Sequence, residues 1–228
     1  MQTLVMIPGL GSDAAVWRPT IAALDGRVAC LIGDTQRDAS LRGMALHILE
    51  QAPATFALAG VSMGGMVALE MMKIAPQRVT RLALVDTSAR PDTTRQKAFR
   101  HLSNLIVAIP GLFESLSKGS VASLVHPSAS HDVRAELAEM GARVGRQTYI
   151  RQSAAVASRK DQRPVLRGIA VPTAVVVGSE DQVTPVKLSQ EIHDLTPGST
   201  FHVIPDCGHL PPIEKPAALA AILLGLVK

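Results

Sequence analysis

The chain has 228 residues, 47% apolar and 18% charged. That suits one large globular domain, or a domain with an insertion, and a chain of this size removes roughly 70% of its unfolded surface from water without a disulfide or metal. The net charge is +4, but with four Phe, one Trp and one Tyr there are too few rings for base stacking, which excludes nucleic acid as a partner.

In chain order, short apolar runs bounded by Gly, Pro or Asp alternate with helical patterns. The first run, 3–7, leads into Pro8-Gly9-Leu10-Gly11-Ser12, and a second covers 28–32. Leu41, Met44, Ala45, Ile48 and Leu49 then recur at helical spacing. A third run, 56–59, meets Gly60-Val61-Ser62-Met63-Gly64-Gly65, which opens the helix-like stretch 66–74. Further runs follow at 82–85, 174–177 and 201–204, and a last helix begins behind Pro216. Most runs are continuously apolar, as strands buried on both faces should be. The alternation predicts an α/β fold with a doubly wound, mostly parallel sheet of about six strands.

Residues 90–167 break this rhythm. No strand pattern occurs there, only helical pieces at 95–109, 133–140 and 147–158. A helical excursion of this length reads as an inserted cap, leaving 1–89 and 168–228 as the core. The segment carries 13 Lys+Arg against 6 Asp+Glu, a net of +7, so the chain's basicity belongs to it.

The two cysteines, Cys30 and Cys207, cannot make a framework and read as reduced thiols. The amino-terminal residues carry no basic run, and Pro8-Gly9 interrupts their apolar stretch, against a signal peptide. The longest apolar stretch, 217–227, falls short of the ~18 residues of a span. The expectation is a cytoplasmic protein with no membrane partner; its oligomeric state is not legible.

A Ser between glycines at a strand-to-helix junction must sit on a tight, strained turn that exposes its hydroxyl at the positive end of the helix. Such a nucleophile needs a base, and the base an orienting acid. The run 174–177 leads into Gly178-Ser179-Glu180-Asp181, and 201–204 into Pro205-Asp206-Cys207-Gly208-His209. Both loops emerge at the carboxyl edge of the sheet, with Ser62. His209 is the candidate base and Asp181 the candidate acid. Asp86, at the end of 82–85, stands on the same edge and is the second candidate acid. Asp206 is too near His209 in sequence and shapes the turn. The loop 8–12 has neither the third glycine of a dinucleotide site nor a P-loop Lys. It suits an oxyanion hole built from the Leu10 and Met63 backbone N–H groups. Gly9, Leu10, Met63 and Leu210 are the candidate pocket residues. The remaining histidines show no ligand spacing, so no metal and no cofactor are expected.

With these pieces in hand, the sequence resembles the alpha/beta-hydrolase superfamily over nearly its whole length. The matching motifs are Pro-Gly-x-Gly-Ser with Trp17 downstream, Gly-Val-Ser-Met-Gly-Gly, Gly-Ser-Glu-Asp-x-Val-Thr-Pro and Gly-His-Leu-Pro-Pro-Ile-Glu-Lys-Pro. The resemblance implies Ser62 as nucleophile, His209 as base, Asp181 as acid, and Leu10 and Met63 as oxyanion hole. It points towards small bacterial esterases, enol-lactone hydrolases and acyl-carrier methyl-ester esterases. Pro8 stands where family members often have His, and the first two family strands have no counterpart here, so the usual antiparallel edge is not expected. The expected activity is serine-dependent hydrolysis of small to medium, aliphatic carboxylic esters, anionic or carrier-linked ones included. Thioesterase, lactonase, carbon–carbon hydrolase and perhydrolase chemistry are alternatives on the same residues.

Overall fold

The computed structural model describes residues 2–109 and 111–228. Its strands are β1 (Thr3–Ile7), β2 (Ala29–Ile32), β3 (Phe56–Val61), β4 (Val79–Val85), β5 (Thr173–Gly178) and β6 (Thr200–Ile204). They form one sheet in the order β2-β1-β3-β4-β5-β6, and every neighbouring pair runs parallel. Helices α1 (Arg18–Leu24), α2 (Leu41–Gln51) and α3 (Met63–Ile74) lie between the first four strands. Between β4 and β5 the chain forms α4 (Thr94–Val107), α5 (Leu112–Leu124), α6 (His131–Val144), α7 (Arg146–Ser158) and α8 (Arg163–Leu166). Then come α9 (Val186–Leu195), α10 (Pro211–Glu214) and α11 (Pro216–Val227). Residue 110, inside the expected cap, lies outside the described residues.

The strands divide their side chains with a period of two. Val5, Ile7, Leu58, Leu82, Leu84 and Val175 face a cluster with α2 and α3. Leu4, Met6, Ala57, Ala59, Ala83 and Val176 face the opposite cluster, which takes in Leu24 of α1 and Leu219 and Leu223 of α11. Burying each large side chain contributes about 1.5–3 kcal/mol. The central strands are apolar on both faces because helices cover both. At the edges the pattern loosens: β2 is half-buried throughout and Val203 of β6 is 46% exposed.

The strand order places β1 and β3 side by side, while their following segments go to opposite sides of the sheet. The crevice at such a switch point, at the carboxyl ends of the strands, is where open α/β sheets hold their sites. Both the 8–12 loop and Ser62 lie there.

Helix α4 turns several large apolar residues outward, although Val107 at its end is buried. Phe99 is 70% exposed, and Leu102, Leu105 and Ile106 are exposed beside it. Its other side supplies Arg100 to an ion network: Asp92 accepts from Arg100 Nε at 2.6 Å and pairs with Arg159 Nη1 at 2.8 Å. The Asp92 and Arg159 side chains are only 2% and 5% exposed, and Arg159 Nε also donates to the Arg90 carbonyl. Ala155, Val156 and Leu166 join the α3 side of the core, so the helical segment is fastened to the sheet layer at its carboxyl end. Among the described residues, no helix is long and apolar enough to cross a membrane.

Removing one member of a buried ion pair strands the other charge. Asp92→Ala is therefore expected to lower the unfolding free energy by about 3–5 kcal/mol, read by urea denaturation. A change below about 1 kcal/mol would show that Arg159 finds water instead.

Candidate active site

Ser62 follows β3 directly and caps α3 with a left-handed backbone, φ +57° and ψ −118°. For a non-glycine residue this conformation costs about 1–3 kcal/mol, and hydrogen bonds hold it. The Ser62 N–H donates to the Val85 carbonyl at 2.9 Å, and its carbonyl accepts from Gly65 N at 3.0 Å and Thr87 Oγ1 at 2.7 Å. The glycines around it are required by close backbone approach. A Cβ on Gly60 would lie 2.3 Å from the Gly64 carbonyl oxygen, and one on Gly64 would lie 2.2 Å from that of Ile7.

The loops after β5 and β6 bring Asp181 and His209 to this serine. His209 Nε2 stands 2.8 Å from Ser62 Oγ, and Nδ1 stands 2.8 Å from Asp181 Oδ2. The Asp181 contact assigns the N–H to Nδ1 and leaves Nε2 free to accept the serine proton. Asp181 is 3% exposed. Its Oδ1 accepts from Val183 N at 2.7 Å and Thr184 N at 2.9 Å, and its Oδ2 accepts from Thr184 Oγ1 at 2.7 Å. Burial raises its pKa, but hydrogen bonding and charge from His209, with bonds from Asp86 and Thr184, hold it well below the usual carboxylate range.

Asp86, the other candidate acid, is fully buried at the end of β4. A carboxylate oxygen of Asp86, one of Asp181 and a His209 ring nitrogen lie within 4.8 Å of one another. Even so, the His209 ring bonds Asp181, while Asp86 Oδ1 accepts from Gly178 N at 3.0 Å. Burial, then the hydrogen bond and charge of Asp181, push the Asp86 carboxyl well above the ordinary range. Asp206 lies exposed on a left-handed turn, φ +51°.

Among the described residues, two clusters hold three metal-capable groups each: Asp86, Asp181 and His209, and His126, Glu180 and Asp206. Both ring nitrogens of His209 are engaged by Ser62 and Asp181. In the second cluster Glu180 accepts from Ser179 Oγ and Cys207 N, and His126 Nδ1 pairs with Ser128 Oγ. A metal at the first cluster would have to displace the Ser62 and Asp181 contacts of His209; in the second, His126 Nε2 stands 3.9 Å from Glu180 Oε2.

In the 8–12 loop, Ser12 N donates to the Gly9 carbonyl at 3.2 Å and Gly11 N to Gln152 Oε1 at 2.9 Å. Among the described residues, no protein acceptor is found for the N–H of Leu10 or of Met63, the first residue of α3. Gly9 sits against the serine: a Cβ on it would lie 3.3 Å from Ser62 Cβ. Of the other pocket candidates, Leu10 is half-buried, while Met63 and Leu210 are buried in opposite core clusters. A cavity of about 460 Å³ opens beside the loop, lined by Pro8, Ser12, Ile32, Asp34 and Thr35 among others. None of the four pocket candidates lines it. One aromatic comes close: the Tyr149 ring of α7 lies 3.4 Å from where a Gly11 Cβ would be.

Three residues that sequence reasoning passed over position this machinery. Gln152, fully buried on α7, accepts from Gly11 N and donates to Thr35. Glu214 of α10 accepts three backbone N–H bonds, from His126 at 2.7 Å, Gly208 at 3.1 Å and Leu210 at 3.0 Å. It thereby clamps both neighbours of His209. Thr87 braces the serine turn. Glu214 falls within the His209 motif and could have been noticed; Gln152 acts across 141 residues with no local signal.

Fold and site now stand together, and the chain belongs to the Alpha/beta hydrolase family, whose model matches residues 4–222. It is 29% identical to the "Putative non-heme bromoperoxidase BpoC" of Mycobacterium tuberculosis, across 97% of this chain and 92% of that protein. It is 28% identical to the pimeloyl-[acyl-carrier protein] methyl ester esterase of Edwardsiella ictaluri, across 96% of this chain and 91% of that protein. Among solved structures, a thermophilic esterase from Thermogutta terrifontis superposes with a TM-score of 0.91 at 24% identity, covering 100% of this chain and 89% of that one.

Glu214→Ala leaves three N–H groups unpaired at about 1–3 kcal/mol each. The expected outcome is a loss of about 3 kcal/mol or more in urea unfolding, and more rapid amide hydrogen exchange at 208–210. Unchanged exchange there would mean that the loop is held elsewhere.

Proposed function

We propose that the chain hydrolyses carboxylic esters through an acyl-enzyme on Ser62. The observation that carries this reading is the unbroken line from Ser62 Oγ through His209 to Asp181, both contacts at 2.8 Å. His209 Nε2 takes the serine proton as Oγ attacks the ester carbonyl, and Asp181 stabilises the imidazolium. The developing oxyanion is held by the Leu10 and Met63 N–H groups, each such donor being worth about 2.7–4 kcal/mol in comparable enzymes. His209 then protonates the leaving alcohol and activates the water that releases the acid. No step in this sequence calls for a cofactor.

Gly9, Leu10, Met63 and Leu210 line the acyl site in this reading. Segment 90–167 acts as a cap: its α5 end bonds the His209 loop through Leu124 O and His209 N at 2.8 Å. Tyr149 gives the cap one ring near the oxyanion loop, so the site is not purely aliphatic. The net +7 of the segment favours anionic esters by steering, and the relatives named pimeloyl-[acyl-carrier protein] methyl ester esterases extend the proposal to carrier-linked ones.

Ser62→Ala is expected to cut kcat on short p-nitrophenyl esters by at least about a thousandfold, with Asp181→Asn also strongly impaired. A Ser62→Ala protein retaining most of the wild-type rate would sink the mechanism. For the steering idea, kcat/KM on an anionic ester should fall as salt rises from about 10 to 200 mM, while that on a neutral ester stays flat. Equal salt responses would remove the role assigned to the basic segment.

A further inference from the structure

Two carboxyl groups are buried side by side at the centre of the site, and only one of them touches His209. They do not have the same surroundings. Asp181 accepts from Val183 N, Thr184 N, Thr184 Oγ1 and His209 Nδ1. Asp86 is 0% exposed and receives one bond, from Gly178 N to Oδ1. Its other oxygen, Oδ2, is buried with no donor among the described residues. The backbone of Asp86 is left-handed, φ +43°, and its N–H is tied to the Val176 carbonyl at 2.9 Å.

Two adjacent buried carboxylates cannot both stay ionised. The charge settles where the donors are, on Asp181. The donorless oxygen of Asp86 must then carry a proton, and a buried O–H needs an acceptor. The acceptor at hand is the neighbouring Asp181 carboxylate, with an oxygen within 4.8 Å of one on Asp86. Resting on the ester-hydrolase reading, we propose that Asp86 is a neutral carboxylic acid whose O–H is donated to Asp181, making it a positioning residue for the acid–base line. It gives Asp181 a fifth donor and fixes the carboxylate plane that orients His209.

The other groups facing Asp86 agree with this assignment. Glu214 on α10 adds a further acidic group, and Cys207 holds a thiol pushed up by burial. His209, the base of the cluster, bonds Asp181 and not Asp86. The single donor on Asp86, Gly178 N, is too little to hold an ion.

The protonation state has its own signature in stability. A folded Asp86 that keeps its proton, while the unfolded chain releases it near the ordinary carboxylate value, makes stability fall as pH rises above about 4. Asp86→Asn removes that slope, and all other groups cancel in the comparison. Between about pH 5 and pH 8 the urea midpoint of Asp86→Asn should therefore rise relative to wild type. A constant gap overturns the proposal, whatever the enzyme does.

Catalysis supplies a second readout. Asp86→Ala loses the donor and should drop kcat about tenfold with KM nearly unchanged. Asp86→Asn, whose amide can donate to Asp181 and accept from Gly178, should restore most of that rate and leave the acid limb of kcat/KM where wild type has it. If Asp86 were ionised, Asp86→Asn would delete a negative charge near His209 and move the acid limb to lower pH by about one unit, which also overturns the proposal. Where Asp86→Ala fails to fold, Asp86→Asn decides alone. Ser62→Ala tests the ester reading separately, because the unfolding comparison needs no turnover.

Discussion

The left-handed backbone of Ser62 is the constraint around which the rest of the site is arranged. An isolated strand-to-helix turn would relax out of φ +57°. Here β1, β3 and β4 adjoin at the centre of the sheet and leave it no room. Gly60 and Gly64 let the turn descend onto the Ile7 and Gly64 carbonyls, and Val85 and Thr87 bind it from the β4 side. A rigid parallel core therefore bears the strain and holds the hydroxyl in place. The loops carrying Asp181 and His209 need only reach a fixed point.

Those loops are held by acids, buried Asp181 and half-buried Glu214, whose oxygens are filled by backbone and side-chain donors. Asp181 collects the amides of its own turn, and Glu214 collects those on both sides of His209. The geometry of the candidate site and the stability of the fold thus draw on the same bonds. For Asp181 the sign is fixed by its lowered pKa. Its contribution is complete above the unfolded-state value of 3.8 and fades as pH falls towards the folded one. Acid should loosen the site as it loosens the fold.

Much of this architecture is readable in the sequence because the central strands are buried on both faces and so are continuously apolar. Legibility falters where burial and pattern part company. β3 runs on through Gly60 to Val61 although glycine reads as a breaker. β4 starts at Val79, ahead of the apolar run, because Thr80 and Arg81 are strand residues with polar partners of their own. Helix α5 gives no clear signal, its sequence broken by serines and Gly119, and α9 is hidden behind the motif loop. In the site, Ser62, Asp181 and His209 sit in loops with distinctive local sequences. Gln152 is an ordinary glutamine on a helix until the fold brings Gly11 and Thr35 to it.

The helical segment between β4 and β5 is joined to the loops around Ser62 and His209 by several bonds among the described residues. Gln152 holds Gly11 beside the proposed oxyanion hole, the Leu124 carbonyl holds His209 N, and Glu214 binds His126 and the His209 loop together. By contrast α4 presents Phe99, Leu102 and Leu105 to solvent, and its inner side reaches the core through the Asp92 network. A segment proposed to roof the pocket is therefore not mechanically uniform. Changes in α4 can alter what enters without touching the acid–base line. Changes at the carboxyl end of α5 or along α7 shift residues that bond the His209 and 8–12 loops directly, so in the proposed mechanism substrate range and turnover would be coupled there.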